Sequence, residues 1–282
     1  MTITVIGTGL IGGSLAIDLR ETGFGSRFIG VDSSEQNALD ALKNGIVDEI
    51  MTLENAAEQS DLIILSIPVD AARKNLAKIL DLAPPKTVVT DMGSTKNGIC
   101  SENRSHPKRS AFVASHPIAG TEFSGPKAAI RRLFAGKKTI ICEKELSSDF
   151  ALTRVEEMFK ALEMDIIYMQ PDTHDMHLAF VSHISHISSF ALGKTVLNIE
   201  KDEKSIFDIA GSGFSSTVRL AKSSPETWLP IFMQNSENIS FALNNYIEQL
   251  QKFKACIDLG EADKLKQMMS EANEIGRIID VK

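Results

Sequence analysis

The run Thr2-Ile3-Thr4-Val5-Ile6 is β-branched throughout and ends at Gly7-Thr8-Gly9-Leu10-Ile11-Gly12. Beyond that turn Leu10, Ile11, Leu15 and Leu19 recur close to helical spacing until Gly23. Strand, glycine turn and helix in that order constrain the fold more than any other feature of the chain, because each glycine has its own steric duty. Gly7 permits the tight turn, Gly9 lets an anionic ligand approach the backbone, and Gly12 lets the helix lie against the strand. The helix start, at Leu10 and Ile11, offers N–H groups and partial positive charge to a diphosphate. Asp32 stands 20 residues beyond Gly12, at the end of the next strand-like run. A carboxylate there hydrogen-bonds ribose hydroxyls and repels a 2′-phosphate, and its neighbours Ser33, Ser34 and Glu35 include no arginine to bind one. The pattern predicts a dinucleotide site of the NAD type. Ser66 and Pro68, at the end of the apolar run Asp61–Val69, are expected beside the same cofactor.

The first half of the chain continues the alternation. Arg27–Asp32, Asp61–Val69, Thr87–Asp91, Ala111–Ser115, Lys138–Glu143 and Asp165–Met169 read as strands, with helices at Glu35–Asn44 and Phe150–Leu162. Strands alternating with helices predict βαβ units and an α/β domain with a doubly wound parallel sheet of the Rossmann type over residues 1–170. After Gln170-Pro171 almost nothing alternates with period two. Asp172 is placed to cap a long helix reaching about residue 199, and Ser224-Pro225-Glu226 reads as a helix start. Leu265, Met268, Met269, Ala272, Ile275 and Ile279 follow helical spacing. Residues 171–282 are therefore expected to form an all-helical domain.

Composition narrows the function. The 282 residues carry a formal charge of −7, which argues against a nucleic-acid surface or a polybasic membrane anchor. No apolar run reaches the roughly 18 residues of a membrane span, and the N-terminus lacks the basic region of a signal peptide. Cys100, Cys142 and Cys256 stand far apart, which fits neither a disulfide framework nor a zinc ribbon and suits a reducing cytoplasm.

A glycine-rich site specifies a cofactor, not a reaction. Two segments follow predicted strands, where ligands bind in open α/β sheets: Asp91-Met92-Gly93-Ser94-Thr95-Lys96 and Ser115-His116-Pro117-Ile118-Ala119-Gly120-Thr121-Glu122. His116, read as a loop residue stiffened by Pro117, is suited to take a proton from an alcohol near pH 7, with Ser94 bonding the same oxygen. The histidines between 174 and 186 invite a metal. On one continuous helix His174 and His177 point nearly opposite to His183 and His186, and no acidic ligands have the right spacing, so no metal is expected.

Taken together, Gly7-Thr8-Gly9-Leu10-Ile11-Gly12-Gly13-Ser14, Asp91–Lys96 and His116–Glu122 resemble the prephenate/arogenate dehydrogenase family of tyrosine biosynthesis. His174-Asp175, Ser182-His183-Ile184-Ser185-His186 and Arg219, Trp228 and Asn235 continue the likeness in the same order, from about residue 2 to 250. The resemblance implies an NAD-dependent enzyme that oxidises and decarboxylates a cyclohexadienyl acid. The product is 4-hydroxyphenylpyruvate from prephenate or tyrosine from arogenate, and prephenate is favoured. It implies His116 as base, Ser94 as its hydrogen-bonding partner, Arg219 on a substrate carboxylate, and His186 with His183 in the substrate pocket. It places Trp228 near the cleft and Glu122 where some relatives carry a gating acid. Here Ser215 and Ser216 stand where relatives carry a basic and an acidic residue, which puts such a gate in doubt. It also implies a homodimer built through the helical half, in a stand-alone form without chorismate mutase or ACT segments. Two alternatives stay open: a β-hydroxyacid-type dehydrogenase, disfavoured because the helix around 171–199 holds only the late Lys194, and a non-catalytic NAD-sensing protein.

Overall fold

The computed structural model describes residues 1–201 and 205–280, with side chains through Ile278; the side chain of Ile279 lies outside the described residues. Two compact units emerge, Met1–Ser236 and Glu237–Lys282.

The first unit opens with β1 (Thr2–Ile6), α1 (Leu10–Glu21), β2 (Arg27–Val31), α2 (Glu35–Lys43), β3 (Glu49–Ile50) and α3 (Leu53–Glu58). It continues through β4 (Leu62–Leu65), α4 (Val69–Leu82), β5 (Val88–Asp91), α5 (Asn97–Asn103) and β6 (Phe112–Pro117), then β7 (Lys138–Cys142), α6 (Asp149–Ala161) and β8 (Asp165–Met169). The eight strands form one sheet in the order β3-β2-β1-β4-β5-β6-β7-β8. The apolar strands are buried on both faces, as a parallel sheet requires. In β4, Leu62 and Ile64 enter the core with Leu15, Leu19 and Phe159, while Ile63 and Leu65 enter the opposite core with Leu76, Ile79 and Phe112.

Three local features depart from the sequence reading. β7 runs antiparallel to β6, although every other neighbouring pair is parallel. The segment between them holds only a short 3-10 turn at Pro126–Ala128, so no helical crossover returns the chain to the starting edge. β3 and α3 form from a stretch that carries too little periodicity to announce them. β6 extends through Pro117, so His116 is a strand residue opposite Ile140 of β7 rather than a loop residue.

The helical part of this unit begins with α7 (Pro171–Leu178), passes through a π-helical turn at Ala179–His183, and continues as α8 (Ile184–Glu200). Gln170, not Asp172, occupies the N-cap, because Pro171 takes the first helical position; the Asp172 carboxylate accepts from Thr173 N instead. Two short helices follow, α9 (Ser212–Thr217) and α10 (Pro225–Gln234), and Ser224 caps α10 by position with its hydroxyl donating to Glu226. The second unit takes in α11 (Ser236–Asp258) beyond its first residue, α12 (Ala262–Ala272) and α13 (Glu274–Asp280). No helix among the described residues is long and apolar enough to cross a membrane.

Candidate active site

Register places the candidate residues on one edge of the sheet. Ile6, Leu65, Asp91 and Ala114 lie in line across β1, β4, β5 and β6. One residue further on come Gly7, Ser66, Met92 and Ser115, and one more reaches His116. This is the carboxyl edge, and the order of connection reverses between β1 and β4, which is where ligands settle in sheets of this kind.

The glycine turn is built as its sequence demands. Gly7 adopts φ +91°, and a Cβ there would sit 2.6 Å from the Ser66 carbonyl oxygen. A Cβ on Gly12 would lie 2.0 Å from Gly7 O, so only glycine lets α1 lie this close to β1. At Gly9, the N-cap of α1, nothing comes nearer than 3.9 Å, and no side chain caps the helix. The turn is thus closed on the protein side and open on the other, with the first N–H groups of α1, from Leu10 and Ile11 onward, free for an anion. These features fit the diphosphate of a dinucleotide.

Ser66 acts on the turn itself: its hydroxyl donates to Gly7 O at 2.7 Å. Pro68 is exposed and caps α4. Asp32 accepts from Thr8 N and Thr8 Oγ1 through Oδ2, both at 2.9 Å, and from Ser34 N through Oδ1. It is half-buried, and a carboxylate with about four acceptor positions keeps one for a ribose hydroxyl.

At β5 and β6 the site turns to proton chemistry. His116, 7% exposed, meets His174 Nε2 through Nδ1 at 2.8 Å. His174 Nδ1 meets Asp175 Oδ1 at 2.7 Å, and the same carboxylate accepts from Lys96 N and Asn97 N at the start of α5. A carboxylate can only accept, so His174 carries its proton on Nδ1 and presents a lone pair at Nε2. His116 must then donate from Nδ1, which leaves its Nε2 unprotonated. Burial, reinforced by His174, Lys96 and His183, pushes the His116 pKa well below that of a free imidazole. Burial also lowers His174, against the opposing pull of Asp175. Both rings are neutral near pH 7, and His116 Nε2 is a base of defined tautomer.

Ser94 occupies the loop between β5 and α5, half-buried and fixed on both sides. Asp91 accepts from Gly93 N and pairs with the fully buried Lys96, while Thr95 Oγ1 donates to Gln234. The Asp91 carboxylate also accepts from Ser115 N, tying this loop to β6.

The third group lies on the helices. His186 stacks on Trp228 with ring centroids 3.4 Å apart and donates from Nδ1 to Ser182 O. Its pKa is lowered by burial, with the Ser182 carbonyl opposing and Arg219 adding to the effect. His183 stands edge-on to Trp228 at 6.0 Å and is fully buried, which pushes its pKa to about 4. Arg219 is exposed and pairs with Glu122 at 3.2 Å. Glu122 therefore meets the arginine itself, and Ser215 and Ser216 in α9 bring no charge.

The histidines separate differently from a continuous helix. His174 is buried and His177 exposed, and the next buried histidine along the helix is His183. Nine residues of α-helix would set His174 and His183 about 180° apart; the π turn adds a residue and brings them to about 80°. Sequence alone assigns His174, Asp175 and Lys96 no function, because their placement depends on that turn and on contacts between distant segments. The one available signal was their position inside the matched segments.

Residues 15–168 match the family described as "Prephenate dehydrogenase, nucleotide-binding domain", and residues 170–271 match its "dimerization domain". The chain belongs to the prephenate dehydrogenase family. The prephenate dehydrogenase of Bacillus subtilis is 28% identical over 97% of this chain and 74% of its own length. Among solved structures, the Aquifex aeolicus prephenate dehydrogenase, in complex with hydroxyphenyl propionate and NAD+, is 30% identical with a TM-score of 0.90, covering 100% of this chain and 98% of its own. The Synechocystis arogenate dehydrogenase is 26% identical with a TM-score of 0.75, covering 99% and 100%.

Proposed function

We propose that this chain is a prephenate dehydrogenase that uses NAD to convert prephenate to 4-hydroxyphenylpyruvate with loss of carbon dioxide. The observation that carries the reading is the chain Asp175–His174–His116, which leaves one basic nitrogen at the same sheet edge as the glycine turn. When bound, NAD supplies the acceptor for the hydride on the ring carbon that bears the hydroxyl. His116 Nε2 takes the hydroxyl proton, and Ser94 bonds the same oxygen. The bond to the ring carboxylate breaks, carbon dioxide leaves, the electron pair of that bond passes through the ring to the oxygen, His116 returns the proton there, and aromatisation supplies the driving force. The protein's work is orientation, proton removal and placement of charge. Arg219 binds a substrate carboxylate by exchanging Glu122 for it, and a planar guanidinium suits that partner. His186, held by Trp228, lines the pocket with His183. Asp32 binds the ribose, and Gly7, Gly9, Leu10, Ile11, Gly12, Ser66 and Pro68 form the cofactor site.

The same reading takes residues 1–170 as the nucleotide domain, 171–282 as the substrate and dimerisation domain, and a cytoplasmic homodimer as the working form. Absorbance at 340 nm with NAD plus prephenate, arogenate or a 3-hydroxy acid tests the function. Reduction with prephenate, accompanied by carbon dioxide, is the expected result. Signal with the 3-hydroxy acid alone, or with none of the three, would overturn it, and signal with arogenate alone would reassign the substrate.

A further inference from the structure

Asn235 joins two buried groups. Its Nδ2 lies 2.6 Å from the Asp175 carbonyl oxygen and 3.1 Å from His183 Nδ1. A backbone carbonyl can only accept, so the amide nitrogen must face it, and the orientation of the Asn235 amide is settled. The second hydrogen of that nitrogen then points to His183 Nδ1, which must accept. His183 therefore carries its proton on Nε2. That N–H is buried and has no hydrogen-bond partner among the described residues. The Trp228 ring, with its centroid 6.0 Å away, offers at best a weak contact to it. A buried donor left without a partner is costly, and native proteins rarely retain one without a use for it.

We propose that Asn235 is a positioning residue that holds His183 as an Nε2–H donor aimed at a carboxylate or carbonyl oxygen of a bound ligand. The inference rests on the dehydrogenase reading and adds a polarity to it. His116 offers a lone pair at Nε2, His183 a proton at Nε2, and the two rings cannot exchange roles. Oxygens of the required class are at hand from two sources under that reading, the substrate and the nicotinamide carboxamide.

Long-range proton–nitrogen correlation spectra of the full chain labelled with 15N-histidine report the tautomer of each ring, and His183→Leu assigns the signal. The expected spectrum of the free protein shows His183 protonated at Nε2; protonation at Nδ1 overturns the proposal. Addition of prephenate without NAD, which cannot turn over, shifts the Nε2–H signal if the oxygen belongs to the substrate, and NAD alone shifts it if the oxygen is the carboxamide. A signal unmoved by either overturns it. In steady-state kinetics His183→Leu is expected to lower kcat/KM about ten- to a hundred-fold, and His183→Gln, which keeps a donor, to recover most of it. Equal losses in the two variants would mean a purely structural ring. A wild-type protein that turns over none of the substrates would refute the dehydrogenase reading while leaving the tautomer measurable.

Discussion

Asp175 sets the polarity of two other histidines without touching either. Its carboxylate fixes His174 and through it His116, while its backbone carbonyl fixes Asn235 and through it His183. Asp175→Asn exchanges an acceptor for a donor where His174 Nδ1–H, Lys96 N and Asn97 N all need one. Reversal of the chain would place the proton of His116 on Nε2 and remove the base. The expected outcome is a fall in kcat of about 10²–10⁴, with the NAD dissociation constant within about twofold by fluorescence titration. The lowered pKa of His116 keeps its base form populated below pH 6.5, so the acid limb of the kcat/KM profile should fall below the ordinary imidazole range. Stability follows the same sign. An imidazole with a folded pKa below its unfolded value binds fewer protons when folded, so stability is full above about 6.5 and declines as pH falls toward the folded value. For His183 that window runs from about 6.5 to about 4, and His116 and His174 act in the same direction. Urea midpoints at pH 7 and pH 5 check this, and the account expects the lower midpoint at pH 5.

At the scale of elements, the glycine turn was legible and the π turn was not. Each glycine of Gly7–Gly12 has a local steric reason, and sequence records local reasons. The β-branched runs announced the strands that flank the turn, and burial on both faces made β4 readable as a central strand. A π turn leaves no such mark, because Ala179-Phe180-Val181-Ser182-His183 would fit an α-helix equally well. Without it the histidines sort by the wrong faces. His174 then resembles a residue that merely packs at a helix start, when it is the link between Asp175 and His116. His116 itself was recognised by type and neighbourhood, yet its place inside β6 depends on pairing with β7, a contact between distant segments. Deletion of Val181, which is exposed, should convert the π turn to α-helix and keep His183 and His186 at nearly the same angle to His174, because eight α-helical residues also end about 80° away. Turnover should stay within about threefold of wild type, with NAD affinity near wild type. A fall of more than tenfold would remove the π turn from the account.

At the scale of the whole molecule, the helical segments leave large apolar side chains in water. Leu197, Ile209, Leu229 and Met233 in the first unit and Ile257, Met269 and Ile275 in the second are each more than half exposed. Scattered apolar residues are ordinary on a monomer, but so many on the helices suit a surface covered by another copy. Sedimentation at micromolar protein should give a homodimer, and a stable monomer would contradict it.

All of this depends on His116 Nε2 as the group that removes the hydroxyl proton. The most direct test follows absorbance at 340 nm with NAD and prephenate for the wild type and His116→Asn, with NAD binding measured in parallel. The account predicts a fall in kcat of at least a hundredfold in the variant with NAD affinity within about twofold. Turnover within twofold of the wild type would contradict it.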